Sequence, residues 1–97
     1  MKINSDKQTH KKIKMLKLNE NQLSNQGFFK IIPYLGSCTN LNLSANRLSD
    51  DILGMIIESR DELAPLRLVN LSKNDIIEKK VKLKLETLKK MGILIQI

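Results

Sequence analysis

The chain has 97 residues, a formal net charge of +7 and 41% hydrophobic residues. This length is typical of one small domain with a modest core. No apolar run approaches the roughly 18 residues of a membrane-spanning helix, and the first residues do not resemble a signal peptide, so we expect no membrane insertion. The single cysteine, Cys38, excludes an internal disulfide and is typical of a reducing compartment, which predicts a cytoplasmic protein.

Positive charge is concentrated towards the two ends of the sequence. Residues 1–17 hold six Lys and one Asp, and residues 73–90 hold seven Lys, one Asp and two Glu. Scattered lysine is usually a solvated surface, and we adopt that interpretation. The alternative is a basic nucleic-acid- or anion-associated protein that uses these terminal lysine clusters. Aromatic residues, which stack on bases, make up only 3% of the chain, so nucleic acid is the less favoured partner.

The first element in chain order is a polar flank over residues 1–12. Ser5 and Gln8 have the spacing of a capping box and predict a short helix that ends near Lys12. Because the segment holds few apolar residues to cover the layer that follows, we expect it to be a weak cap.

Three segments of the remaining chain follow the pattern L-x-x-L-x-L-x-x-N-x-L. Their central leucines, Leu18, Leu43 and Leu71, are 25 and then 28 residues apart. Apolar residues at alternate positions predict a short strand with one buried face. An Asn amide both donates and accepts, so the Asn of each copy predicts a turn that closes the strand. The copies comprise Ile13, Leu16, Leu18, Asn21 and Leu23; Cys38, Leu41, Leu43, Asn46 and Leu48; and Leu66, Val69, Leu71, Asn74 and Ile76.

A helix is predicted after each strand. Ser24 is the expected N-cap of the first helix, and Pro33 should end or kink it near Ile32. The second helix is expected to begin at Ser49 and Asp50, where the helix dipole favours an acidic residue. The third is predicted over VKLKL at 81–85, whose alternation also fits a strand. The expected buried stripes are Phe28, Ile31, Ile32 and Leu35; Leu53, Ile56, Ile57 and Leu63; and Val81, Leu85 and Leu88.

The sequence ILIQI at 93–97 follows Gly92 and predicts a fourth strand, with Ile93 and Ile95 in the buried positions. In this register Leu94 joins Lys17 on the opposite face. An uncharged apolar edge strand either completes the sheet or docks on a partner chain or a longer array. The edge-docking candidates are Ile93, Ile95 and Ile97.

This pattern resembles the leucine-rich repeat, and its period resembles the ribonuclease-inhibitor-like class. The resemblance implies an α/β fold: a short right-handed β-α solenoid of three full repeats plus a terminal strand, with a parallel sheet on the concave face and helices on the convex face. The leucine-rich-repeat domain would span residues 13–97. Within it, repeats are expected at about 13–37, 38–65 and 66–91, and the terminal strand at 93–97.

In this family the concave face commonly receives a protein partner, which the resemblance therefore implies here. The concave-face candidates are Lys17, Asn19, Asn42, Ser44, Arg67, Asn70 and Ser72. No catalytic, metal-binding or phosphate-binding motif occurs, and His10 is the only histidine, so we expect no enzyme activity, no metal site and no cofactor.

The predicted function is a non-enzymatic protein–protein interaction or scaffolding module in a larger intracellular assembly. A composition rich in Lys, Asn and Ile is typical of A/T-rich codon usage, as in many protists, and favours a cytoskeletal or axonemal setting. A second alternative is a fragment or cap of a longer repeat protein.

Overall fold

A computed structural model describes residues 13–97, which form an α/β structure of four parallel strands and three helices. The strands are β1 (Met15–Lys17), β2 (Asn40–Asn42), β3 (Leu68–Asn70) and β4 (Leu94–Gln96). The helices are α1 (Asn25–Ile31), α2 (Asp51–Glu58) and α3 (Glu78–Lys90), and a 3-10 turn over Ile32–Tyr34 follows α1. The predicted flank over residues 1–12, with its capping box and His10, lies outside the described residues.

The sheet has the order β1-β2-β3-β4, so each strand pairs with its neighbour in sequence. Leu16 pairs with Leu41, and Leu41 with Val69, which is the register obtained by superimposing the three sequence copies. The predicted strands are confirmed at these positions, and alternation along each three-residue strand places its central residue on the core side of the sheet.

The fourth strand is confirmed, but its predicted register is wrong by two residues. Ile95 pairs with Val69, so Gln96 rather than Leu94 joins the row that contains Asn70. The cause lies in the short connection from α3. Gly92 adopts a φ of 86°, the amide of Ile93 donates to the carbonyl of Leu88, and the Ile93 side chain enters the core before the strand begins.

One face of the sheet packs against the helices. Leu41, Leu43, Val69 and Leu71 are at most 2% exposed and share one core cluster with buried residues of all three helices, including Phe28. The predicted stripes are buried except for three residues that pack at the margin of the cluster, Ile31, Ile57 and Leu85. The opposite side, here called the open sheet face, consists of Met15, Lys17, Asn40, Asn42, Leu68, Asn70, Leu94 and Gln96.

The helices begin and end close to the predicted positions, and α2 begins at Asp51 with Asp50 in the N-cap position. The hydroxyl oxygen of Ser24 accepts from the Gly27 amide at 3.3 Å, and α1 gives way to the 3-10 turn that contains Pro33. The prediction of helix for residues 81–85 is confirmed, because they lie within α3.

The side chains predicted to cap α2 instead join neighbouring loops. Asp50 makes no side-chain cap bond, and its Oδ1 accepts from the Ile77 amide at 2.8 Å. The Ser49 hydroxyl accepts from Asn25 Nδ2 at 2.9 Å. Asp50 therefore satisfies a backbone amide of the next unit, whereas Ser49 bonds to a side chain of the unit before it.

The Asn side chains also connect successive loops, and Asn46 is the most extensively bonded. Its Oδ1 accepts from the amides of Asn21 and Leu23 at 2.9 and 2.8 Å. Its Nδ2 donates to the carbonyls of Leu18 and Leu43 at 2.9 and 3.0 Å. This one side chain therefore fixes the end of β1 and the turn of its own unit together.

Asn74 repeats this arrangement one unit later. Its Oδ1 accepts from the Leu48 amide, and its Nδ2 donates to the carbonyls of Leu43 and Leu71. Asn21, at the matching position of the first unit, donates only to the Asn19 carbonyl. The predicted ladder is therefore formed by Asn46 and Asn74, whereas the side chain of Asn21 acts locally.

The residue before each of these Asn residues has a left-handed backbone. The φ angles of Glu20, Ala45 and Lys73 are 61°, 56° and 59°. A non-glycine residue in this region costs about 1 kcal/mol or more. The cross-unit hydrogen bonds of Asn46 and Asn74 fix the turns that contain Glu20 and Ala45, which offsets the cost at those two residues.

Candidate interaction surface

The open sheet face carries a shallow depression of about 180 Å³. It is lined by Met15, Lys17, Asn40, Leu41, Asn42, Leu68, Asn70 and Gln96. Sites that enclose a cofactor or metabolite usually have volumes of about 300 to 1,000 Å³. The depression is therefore suited to surface contact rather than to enclosure of a small molecule.

Three of the predicted candidates form a row across this face. Lys17 pairs with Asn42 in register, and Asn42 pairs with Asn70, so the three residues occupy equivalent positions on β1, β2 and β3. Gln96 continues the row on β4. The row brings one ammonium group and three amides to the same side of the sheet.

The other candidates lie beside the row. Asn19, Ser44 and Ser72 each follow the row residue of their strand by two positions, at the carboxyl ends of β1, β2 and β3. Arg67 precedes β3, and its guanidinium donates to the carbonyls of Ala64 and Leu66 at 3.2 and 3.0 Å. These bonds hold the guanidinium against its own loop, and Arg67 does not line the depression.

Two matched turns at the ends of β2 and β3 were not anticipated from the sequence. Asn42 Oδ1 accepts from the amide and the hydroxyl of Ser44 at 3.0 and 2.8 Å. Asn70 Oδ1 accepts from the same two groups of Ser72 at the same distances. The sequence N-x-S, which occurs at the same place in copies two and three, was the available signal. An Asn side chain in a turn commonly bonds to the backbone two residues later.

The edge-docking candidates differ in exposure. Ile93 is 4% exposed and belongs to the core, whereas Ile95 is partly buried and packs against it. Ile97 is 40% exposed, and Leu94, which was not a candidate, is 58% exposed. The accessible apolar surface of this edge therefore comes from Leu94 and Ile97.

The helix side of the protein carries two further exposed features. An open groove of about 560 Å³ lies beside Phe29, Lys30 and Met55, and Phe29 is 63% exposed. On α3, Leu83 is 78% exposed and is surrounded in sequence by lysines at positions 79, 80, 82 and 84.

Cys38 is fully buried beneath the sheet, and its thiol donates to the Asn40 carbonyl at 3.0 Å. Burial raises the pKa of the Cys38 thiol because it disfavours the charged thiolate. The folded state should therefore lose stability as the pH rises above the ordinary thiol pKa of about 8.5, since the unfolded chain ionises first.

We expect a thiol-specific chromogenic disulfide reagent at pH 8 to label the folded protein on the order of a hundredfold more slowly than the guanidinium-unfolded protein. The unfolded sample is the internal control, because it contains the same thiol at the same pH. Equally fast labelling of both samples would show that Cys38 is accessible in the folded state.

The described residues thus define a small α/β protein with an open, mixed polar and apolar sheet face. No protein-family model, curated protein or solved structure matches the chain. Within residues 13–97, no cluster of three or more His, Cys, Asp or Glu side chains is arranged to hold a metal ion. No helix in that same range has the length and apolarity needed to cross a membrane.

Proposed function

We propose that this chain is a short right-handed leucine-rich-repeat solenoid of the ribonuclease-inhibitor-like class. Each predicted repeat interval contains one strand and one helix, which supports the proposal. The leucine positions pair in register across neighbouring strands, and Asn46 and Asn74 bond to the unit before them. Stacked units of this kind bury a shared core against their neighbours, as the described residues do.

We further propose that the protein is a non-enzymatic interaction or scaffolding module in a cytoplasmic assembly, with the open sheet face as its contact surface. The observation that carries this proposal is the sheet geometry. All three helices pack on one side of four parallel strands, and the other side combines exposed apolar and polar groups, such as Met15 and Lys17, in a shallow depression.

The surface favours a modest or composite interface. Four strands of three residues present a narrow face, whereas stable interfaces bury about 800 Å² on each partner. The face also lacks Trp and Tyr, the residues that most often anchor tight interfaces. A cytoskeletal or axonemal assembly, in which several weak contacts act together, fits such a surface.

The proposal is tested by placing the same bulky ring on each side of the protein. We expect Leu68→Trp, at the centre of the open sheet face, to reduce capture of native partners by about tenfold, because the indole blocks close approach of another chain. Phe29→Trp, on the helix side, should leave capture unchanged. Affinity capture from the native source with quantitative mass spectrometry measures both variants.

Two outcomes would contradict the proposal. If capture were lost in Phe29→Trp and retained in Leu68→Trp, the contact surface would lie on the helix side. If the wild-type chain captured no protein and bound a generic duplex with a steep salt dependence, the nucleic-acid alternative would replace it.

A further inference from the structure

The two Asn-Ser turns determine which atoms the open sheet face offers to a partner. A backbone N–H can only donate, so the side-chain atom of Asn42 that faces Ser44 N must be its oxygen. The same argument fixes the orientation of Asn70 against Ser72 N. In both residues the side-chain oxygen therefore accepts hydrogen bonds within the protein. The side-chain NH₂ group is the part of the amide that remains available for a partner.

These two NH₂ groups are available to a ligand. Within residues 13–97, neither Asn42 Nδ2 nor Asn70 Nδ2 makes a hydrogen bond. Both residues line the depression and are partly exposed. They lie on paired strands, which places equivalent atoms about 4.8 Å apart.

Lys17 extends this donor row on β1, because it pairs with Asn42 in register and its side chain is exposed. An ammonium group only donates. The open sheet face contains no Asp or Glu that would repel an anion or occupy the donors. The row therefore presents three neighbouring donor groups from Lys17, Asn42 and Asn70.

Resting on the proposed function, we propose that the donor row recognises the carboxylate side chains of an acidic segment of a partner protein. A carboxylate has two oxygens and only accepts hydrogen bonds, so one group can bridge two donors on adjacent strands. The net charge of +7 favours association with an acidic chain.

Nucleic acid fits the donor row less well, although its phosphates also only accept. Lys17 is the only cation on the open sheet face, whereas phosphate contacts are dominated by Lys and Arg. The face also has no aromatic ring on which a base could stack. The lysines of α3 form a second basic surface, so the test must separate it from the row.

The side-chain NH₂ signals of Asn give a direct readout of the proposed contact. A synthetic decapeptide of alternating Glu and Ser would be titrated into the ¹⁵N-labelled full chain at about 0.15 M salt, where long-range attraction is screened. We expect saturable shifts of the Asn42 and Asn70 NH₂ signals. The matching peptide with Gln in place of Glu should leave them unchanged.

Asn→Asp substitutions test the polarity of the row with little change in shape. In Asn42→Asp and Asn70→Asp, the retained oxygen still accepts from Ser44 and Ser72, while a carboxylate oxygen replaces the NH₂ group. We expect each variant to weaken binding of the acidic peptide by about tenfold. Gln26→Glu, which makes the same change of charge on the helix side, should change the affinity less than twofold.

The α3 surface is tested by the double substitution Lys79→Gln and Lys90→Gln, which should also have less than a twofold effect. If this variant, rather than the Asp variants, abolished binding, or if the peptide shifted α3 signals and not the Asn NH₂ signals, the inference would be overturned. Absence of any binding by the wild-type chain would overturn it as well. The proposed function would still be tested separately by the comparison of Leu68→Trp with Phe29→Trp. If an Asp variant unfolds, the shifts of the Asn NH₂ signals in the wild-type chain decide the inference.

Discussion

Replacing Asn46 by Ala should lower the free energy of unfolding by about 3 kcal/mol, because two backbone amides and the Leu18 carbonyl lose their only side-chain partner. Its oxygen accepts from the amides of Asn21 and Leu23. Its nitrogen donates to the carbonyls of Leu18 and Leu43. These groups belong to the first and the second unit, so the substitution weakens both units.

Asn21→Ala is the matched control for this prediction. Asn21 has the same place in its unit, but its side chain is exposed and makes a single bond to the Asn19 carbonyl. We expect a loss of less than about 1 kcal/mol. Urea unfolding followed by circular dichroism compares the two variants, and equal losses would show that the cross-unit bonds of Asn46 contribute nothing.

Phe28→Ala should cost about 3 to 5 kcal/mol, the range for removing a fully buried aromatic ring from a core. Phe28 has no exposed surface and is the only buried aromatic residue among the described residues. The rest of the core is built from aliphatic side chains and Cys38, which cannot fill a cavity of that size without moving the helices. In a domain of this length, such a loss consumes most of the usual stability.

The neighbouring residue provides the control for this second prediction. Phe29 is 63% exposed, so Phe29→Ala should change the free energy of unfolding by less than about 0.5 kcal/mol. Thermal unfolding of both variants, followed by circular dichroism, measures the difference. Similar melting temperatures for the two would mean that Phe28 is not the packing centre of α1.

The positions of the strands were predictable because each one carries its own periodic signal. Alternating leucines located β1 to β3, and the spacing between copies fixed their register. The register of β4 could not be obtained in this way, because its sequence alternates over five residues and an offset of two preserves the buried face. The turn at Gly92 and the burial of Ile93 decide it, and both depend on where α3 ends.

The candidate surface was only partly predictable for a similar reason. Outward positions on the strands follow from alternation, so Lys17, Asn42 and Asn70 were identified as neighbours. The hydrogen bonds of Asn42 and Asn70 were not predicted, because they depend on contacts between a side chain and the following turn that composition does not reveal. The same limit explains Asp50, whose short acidic side chain could cap its own helix but instead bonds to the Ile77 amide of the next unit.

The cross-unit bonds of Asn46 and Asn74 both run back to the preceding unit, and this has a consequence for how the protein is made. Asn46 holds the turn after β1, and Asn74 holds the turn after β2, so each turn depends on a residue that comes later in the chain. During synthesis from the N-terminus, the amides of Asn21 and Leu23 must wait until Asn46, 25 residues beyond Asn21, has been added. At translation rates of about 5 to 20 residues per second, that delay is on the order of one to five seconds.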